Sequence, residues 1–334
     1  MEKSPQNKSN ADNQSKKQSA RFVEVTSSHA GQRIDNYLMR ELKDVPKSYI
    51  YRILRKGEVR VNKKRIKQTY KLLDGDTVRI PPVFLPEKAD KPTAPESLLK
   101  SIEASIILED DNLILINKPS GMAVHGGSGV RYGLIESFRQ LRPNMPFVEL
   151  VHRLDKETSG IVMLAKNRNV LLELHDLLKN KTRGNGIEKY YQTLVKGHWH
   201  GGEQHIKNNL QREQGRKQKV RVVNDGKSDG KESESIFTPI NKYSDHTLLK
   251  VKLITGRMHQ IRTQLAELNH PILGDSQYGD FGLNREVKKQ IGLKRLFLHA
   301  YHLKFTLASS GKRYDCEIPL ADDLQKTLNN LIRT

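Results

Sequence analysis

The apolar positions fall into two rhythms, and these divide the chain. Phe22 and Val23 with Val25 read as a short strand. Ile34, Leu38 and Leu42 then recur four residues apart, the period of an amphipathic helix, and Pro46 closes that stretch. Ser48 is placed to cap a second helix with Ile50, Ile53 and Leu54 turned inward, and Gly57 to end it. Val59 and Val61 alternate around Arg60, Asn62-Lys63 supplies a turn, and Val78 and Ile80 alternate after the turn Asp74-Gly75-Asp76. Residues 31–82 therefore predict helix, helix, strand, turn, strand: a small α+β unit with its own core.

Pro81, Pro82, Pro86, Pro92 and Pro95, with charges between them, mark a linker over residues 83–100. Beyond it the rhythm shortens. Ile106-Ile107-Leu108 and Leu113 to Ile116 read as strands around an acidic turn, and Val162 to Leu164, Tyr191 to Lys196 and Leu248 to Ile254 as further strands. Val170 to Lys181 and Gln260 to Leu268 read as helices. Many short strands with few helices, and no repeated strand–helix–strand alternation, predict a mixed, mainly antiparallel β-sheet α+β domain over residues 101–334. Residues 213–234, rich in Gly, Lys and Ser, read as an exposed loop, and residues 1–20, without apolar periodicity, as a disordered tail.

Composition narrows the function. The 334 residues suit two domains, and 36% hydrophobic residues are enough for real cores. No apolar run approaches the roughly 18 residues of a membrane-spanning helix. Polar residues follow Met1, so no secretory signal is expected, and a cytoplasmic protein is. Cys316 is the single cysteine, which excludes an intrachain disulfide framework and a cysteine-based zinc knuckle. A net charge of +20, from 58 Lys and Arg against 38 Asp and Glu, calls for a polyanionic partner, and nucleic acid is the commonest. The charge is concentrated: residues 31–79 hold 14 Lys or Arg against 6 Asp or Glu.

The segment with the clearest chemistry is Val151-His152-Arg153-Leu154-Asp155-Lys156-Glu157-Thr158-Ser159-Gly160. An aspartate beside arginine and histidine, before a glycine turn, is either a nucleophile or base held ionised by cations, or a turn cap with a surface ion pair. His198-Trp199-His200 lacks a third metal ligand nearby and reads as a surface strand end.

The Asp155 segment resembles the catalytic signature of the RluA-type pseudouridine synthases, His-Arg-Leu-Asp followed by Thr-Ser-Gly. Further motifs of that family are matched in order by Asn117-Lys118-Pro119-Ser120-Gly121, Lys189-Tyr190-Tyr191, Gly256-Arg257-Met258-His259-Gln260-Ile261-Arg262, His270-Pro271-Ile272-Leu273-Gly274-Asp275 and Leu298-His299-Ala300. Residues 31–62 are similar to the small RNA-binding domain shared with ribosomal protein S-four. Met258, and Thr263-Gln264 after Arg262, depart from the usual pattern without touching Asp155, Tyr191 or Arg262.

The resemblance implies isomerisation of uridine to pseudouridine in RNA, and its nearest subgroup implies 23S ribosomal RNA, at more than one site. The base is flipped out, the N1–C1′ bond is broken and C5 is joined to C1′. No redox change occurs and no water is consumed, so neither metal nor organic cofactor is expected. Asp155 is the implied catalytic carboxylate, through either a covalent adduct or a glycal. Arg262 pairs with it and keeps it ionised. Tyr191 either stacks on the base or relays the C5 proton. Arg153 is expected to wedge into the RNA helix or hold a phosphate, and Arg33, Arg52, Arg55, Lys56 and Arg60 to contact phosphates. The basic stretch from Arg212 to Arg221 is a candidate for tuning RNA choice. A non-catalytic ribosome-assembly protein has no need of Asp155, Tyr191 and Arg262 together, whereas the same chemistry on a tRNA or another rRNA site is compatible with them. Nothing in the sequence demands more than a monomer.

Overall fold

The computed structural model describes residues 20–42, 45–83, 93–127, 130–179, 186–213, 219–223 and 230–332. The expected tail over 1–20 lies, but for Ala20, outside the described residues. The chain divides into two compact units between Lys91 and Pro92.

The first unit contains β1 (Arg21–Glu24), α1 (Ile34–Glu41), α2 (Lys47–Lys56), β2 (Arg60–Val61), β3 (Lys64–Arg65) and β4 (Thr77–Ile80). Its strands form an antiparallel sheet in the order β1-β4-β2-β3. Ile34 and Leu38 of α1, Ile50, Ile53 and Leu54 of α2, and Val61, Val78 and Ile80 of the sheet share one buried core, which is why the helical and alternating patterns coexist here. Gly57 ends α2 at φ +73°, donating its N–H to the carbonyls of Ile53 and Leu54. A Cβ there would meet the Arg65 side chain at 3.0 Å, so glycine answers both a left-handed turn and a close approach. Ser48 does not cap α2. Pro46 stands at that position, its carbonyl accepting from the Tyr49 and Ile50 N–H groups, and its fixed φ starts the helix one residue before Ser48.

The second unit opens with α3 (Glu96–Ala104), so the linker expected over 83–100 stops at Pro95; a proline at the N-cap starts a helix as readily as it marks a loop. Residues 84–92 of that stretch lie outside the described residues. There follow β5 (Ile106–Glu109), β6 (Leu113–Lys118), α4 (Leu134–Leu141), β7 (Glu149–Leu150), β8 (Ser159–Ala165), α5 (Arg168–Lys179), β9 (Glu188–Lys196), β10 (Gln204–Arg212), β11 (Val220–Val223), β12 (Lys231–Lys242), β13 (His246–Leu253), α6 (Gln260–Glu267), α7 (Phe281–Gln290), β14 (Leu298–Thr306), β15 (Arg313–Glu317) and α8 (Asp322–Ile332). Among the described residues the strands make one 11-stranded sheet, in the order β11-β10-β12-β13-β9-β14-β8-β6-β5, with β15 on β14 and β7 on β8. The mixed, mainly antiparallel expectation is met, and β14 against β8 is the parallel pair.

Strands β6 and β8 are buried on both faces. Ile114, Ile116, Val162 and Leu164 join one core, and Leu113, Leu115, Ile161 and Met163 the other. A strand covered on both sides needs no polar alternation, which explains these unbroken apolar runs. His198 and His200 are exposed just past the end of β9, as a surface strand end requires, while Trp199 between them is fully buried against Phe237 and His270, a bulky indole held in the core. The loop expected over 213–234 is corrected in its described parts, which form β11 and the start of β12. Ser233 and Ser235 of β12 face inward and are hydrogen-bonded, so the inward face is polar and escapes a count of apolar alternation. Residues 214–218 and 224–229 lie outside the described residues.

Gly160 sits where β8 meets β14, paired with Ala300, at φ +114°. A Cβ there would fall 2.1 Å from the Ala300 carbonyl oxygen, which is backbone and cannot swing aside. Gly160→Ala is expected to cost about 3 kcal/mol of folding stability, from overpacking and strained backbone together. Denaturant unfolding of the two proteins measures it.

Candidate active site

Asp155 lies on the turn between β7 and β8, half-buried, and its carbonyl accepts the Thr158 N–H at 3.2 Å. The loop after β6 is stitched to this turn. Gly121 N–H donates to the Lys156 carbonyl at 2.8 Å and Ser120 Oγ to the Glu157 carbonyl at 2.6 Å. Lys118, fully buried at the end of β6, donates from Nζ to the carbonyls of Pro119 (2.9 Å), Met122 (2.8 Å) and Lys156 (3.2 Å). Three donors meet three carbonyls, so the ammonium clamps both loops next to Asp155. Burial pulls its pKa down to about 7, against the opposing pull of Asp155.

Arg262, on α6, is nearly inaccessible. Its Nε and Nη2 form a two-pronged pair with Asp275, both at 2.7 Å, and its Nη1 stands 3.6 Å from Asp155 Oδ2. Burial disfavours the guanidinium's charge, but the Asp275 hydrogen bonds and the Asp155 charge more than restore it, and its pKa is raised. Asp275 in turn is lowered: burial opposes its charge, and Arg262 with the N–H groups of Tyr278 and Gln277 overcomes that. The expected pairing of Arg262 with Asp155 is thus present, but Asp275 is the tighter partner. His259 Nε2 lies 3.9 Å from the same Asp155 oxygen, and burial lowers its pKa, so the imidazole is neutral at pH 7. His259 caps α6 at φ +53°, a strained position for a side chain with a Cβ.

Polar contacts seat α6 on the sheet. Gln260 donates to the Glu234 carbonyl (2.9 Å) and Ser235 Oγ (2.8 Å), and accepts from Thr255 Oγ1 (2.8 Å) and Arg257 N–H (3.0 Å). Gln264 donates to Asn208 Oδ1 at 3.1 Å. These fix the helix in rotation, and hence the direction of Arg262.

Tyr191, buried on β9, and Lys189 two residues before it face a pocket of about 320 Å³ that is also lined by Arg153, Asp155, His259 and Arg262. Strand alternation sends Tyr190 to the other side, where it stacks on His302 with ring centres 5.2 Å apart. Burial, then the charge of Asp155, raises the Tyr191 hydroxyl above its ordinary value, so it keeps its proton. Burial alone lowers Lys189 to about 8. Arg153 is exposed at the pocket wall.

In the first unit Arg52, Arg55 and Lys56 are exposed on α2 and Arg60 on β2, while Ile50, Ile53 and Leu54 take the opposite face. Arg33 caps α1 and its guanidinium is held by Asp35 through bonds of 3.1 and 2.7 Å, so it is less free for a phosphate than the other four. Asp275, His259, Lys118 and Tyr278 complete the site without having been singled out as functional. The signal for three of them was their place inside the quoted motifs; Tyr278 lies three residues past one.

Residues 112–267 match the family described as RNA pseudouridylate synthase, and residues 32–78 match the S4 domain. The chain is 46% identical over 317 residues to Ribosomal large subunit pseudouridine synthase C of Escherichia coli strain K12, covering 94% of this chain and 97% of the relative. It is 43% identical to the protein of the same name from Vibrio cholerae serotype O1, covering 93% and 96%. The solved structure of human RNA Pseudouridylate Synthase Domain Containing 4 shares the fold, with a TM-score of 0.59 and 23% identity over 71% of this chain and 96% of that one. The chain belongs to the RNA pseudouridine synthase family of isomerases.

Asp275→Asn leaves the buried guanidinium without its two-pronged partner. A loss of about 3 kcal/mol is expected at pH 7. Because Asp275 is lowered in the folded state, its contribution is whole above the ordinary aspartate value of about 3.9 and fades as pH falls through the lower folded value. Unfolding curves of wild type and variant should therefore converge below about pH 4.

Proposed function

We propose that this protein converts uridines to pseudouridines in 23S ribosomal RNA, at more than one position, acting as a monomer in the cytoplasm. The observation that carries the reading is the convergence of Asp155, Tyr191 and Arg262 on one pocket. The likeness to synthases named for the large ribosomal subunit supports the choice of RNA.

The uridine leaves its stack and enters the pocket, with Arg153 at the wall to hold the emptied helix or a phosphate. The Asp155 carboxylate faces C1′ and opposes the positive charge that develops as the N1–C1′ bond breaks, in the manner of a glycosidase carboxylate. Arg262, fixed by Asp275, keeps that carboxylate oriented. The freed uracil turns and C5 bonds to C1′; C5 then gives up a proton and N1 takes one, so atoms balance without water. Tyr191 presents its ring to the base. Burial, and second to it the Asp155 charge, keep the phenol protonated; once that charge is neutralised at C1′ the lesser of the two obstacles to its giving up a proton is removed. The exposed cations on α2 and β2 supply phosphate contacts that add affinity without reading sequence.

Asp155→Asn is expected to abolish pseudouridine formation on a 23S transcript while leaving RNA affinity within a few-fold of wild type. Residual turnover at the wild-type rate would sink the assignment. Chemical mapping of pseudouridines in 23S RNA from cells lacking the protein should show the target positions unmodified. Replacing Arg52 and Arg55 by Gln should weaken binding and reduce the slope of log affinity against log salt by about 0.7–0.9 for each phosphate no longer neutralised, with single-turnover rate at saturation unchanged.

A further inference from the structure

Behind the pocket, Tyr278 touches four parts of the site at once. Its hydroxyl accepts the backbone N–H of Val220, on β11, at 2.8 Å, and lies 2.9 Å from His259 Nδ1. Its ring lies 5.1 Å from the Arg262 guanidinium carbon. Its own N–H donates to Asp275 Oδ1 at 3.0 Å. Position and hydroxyl are thus set by different neighbours, and the hydroxyl's single proton remains to be placed.

The charges around His259 place it. Asp155, Arg262, Asp275 and Arg153 face the ring along with Tyr278, and Asp155 Oδ2 is opposite Nε2 at 3.9 Å. A nitrogen lone pair pointed at a carboxylate is repelled, whereas an N–H is attracted. The neutral imidazole therefore carries its proton on Nε2, and Nδ1 accepts from the Tyr278 O–H. The chain of bonds runs from Val220 N–H to Tyr278 O–H to His259, whose Nε2–H is presented to Asp155. The strained backbone of His259 fits a side chain held in place by its neighbours.

We propose that Tyr278 is a positioning residue of this reaction: its hydroxyl fixes the His259 tautomer, and through it the orientation of the Asp155 carboxylate, while its ring steadies Arg262. This rests on Asp155 being the catalytic carboxylate. Tyr278→Phe keeps the ring and deletes only the hydroxyl. Its single-turnover rate on the 23S transcript is expected to fall about tenfold, the worth of one ordinary hydrogen bond, with RNA Kd within twofold of wild type. Loss of the donor to Nδ1 makes protonation of His259 easier, so the acid limb of the rate profile should move to higher pH. A Tyr278→Phe enzyme with wild-type rate and pH profile overturns the proposal, as does one whose rate falls only in step with its melting temperature and with the profile unmoved. Nitrogen-15 NMR of His259 in the wild-type protein is a readout independent of activity and of any variant's folding. A proton on Nε2 is expected, and a proton on Nδ1 would refute the proposal even if the enzyme is active.

Discussion

A single buried guanidinium organises the catalytic unit. Arg262 is almost wholly removed from solvent, and a charge so placed must be neutralised close at hand. Asp275 supplies two short bonds, which leaves one edge of the guanidinium to face Asp155 at a longer distance. The unequal sharing has a chemical sense. The strong pair fixes geometry, and the weaker approach leaves the Asp155 carboxylate open to the pocket. The polar seat of α6, with Gln260 and Gln264 bonded to β10 and β12, follows from the same need. The helix that carries a buried cation is held by hydrogen bonds that permit one rotation only.

What could be read in advance follows from how each element comes to be buried. Helix α2 showed its inward face because Ile50, Ile53 and Leu54 pack against a sheet while cations cover the other side. Strands β6 and β8 showed themselves as unbroken apolar runs because both faces are covered. Strands β10 to β12 were hidden, since Asn208, Ser233 and Ser235 turn inward and satisfy each other and α6 with hydrogen bonds. The pocket was legible where the motifs pointed, since Asp155, Tyr191 and Arg262 all line it. Asp275, His259 and Tyr278 act through other side chains across folded distance, and no local spacing announces that.

Positive charge serves two ends in this protein. On α2 and β2, Arg52, Arg55, Lys56 and Arg60 stand in solvent, where salt screens them and phosphates can replace their counterions. In the catalytic unit Lys118 and Arg262 are buried against fixed neighbours, and Lys189 is buried at the pocket wall. Lys118 joins two loops through three carbonyls, and the lowered values of both lysines record the cost of that placement. The net charge of +20 therefore overstates the cation available to RNA.

The position of β14 has a temporal consequence. It lies between β9 and β8, antiparallel to the first and parallel to the second, although it follows β8 by well over 100 residues. Without it the sheet is two separate pieces, one holding Asp155 and the other Tyr191. Contacts so distant along the chain close slowly, and during synthesis they cannot close until β14 has left the ribosome. The first unit, whose widest strand pairing joins Arg21 to Ile80, can close before β14 is made, so its exposed cations can be in place well before the pocket exists. A nascent chain is accordingly able to complete its S4 domain at a stage when its pocket has yet to form.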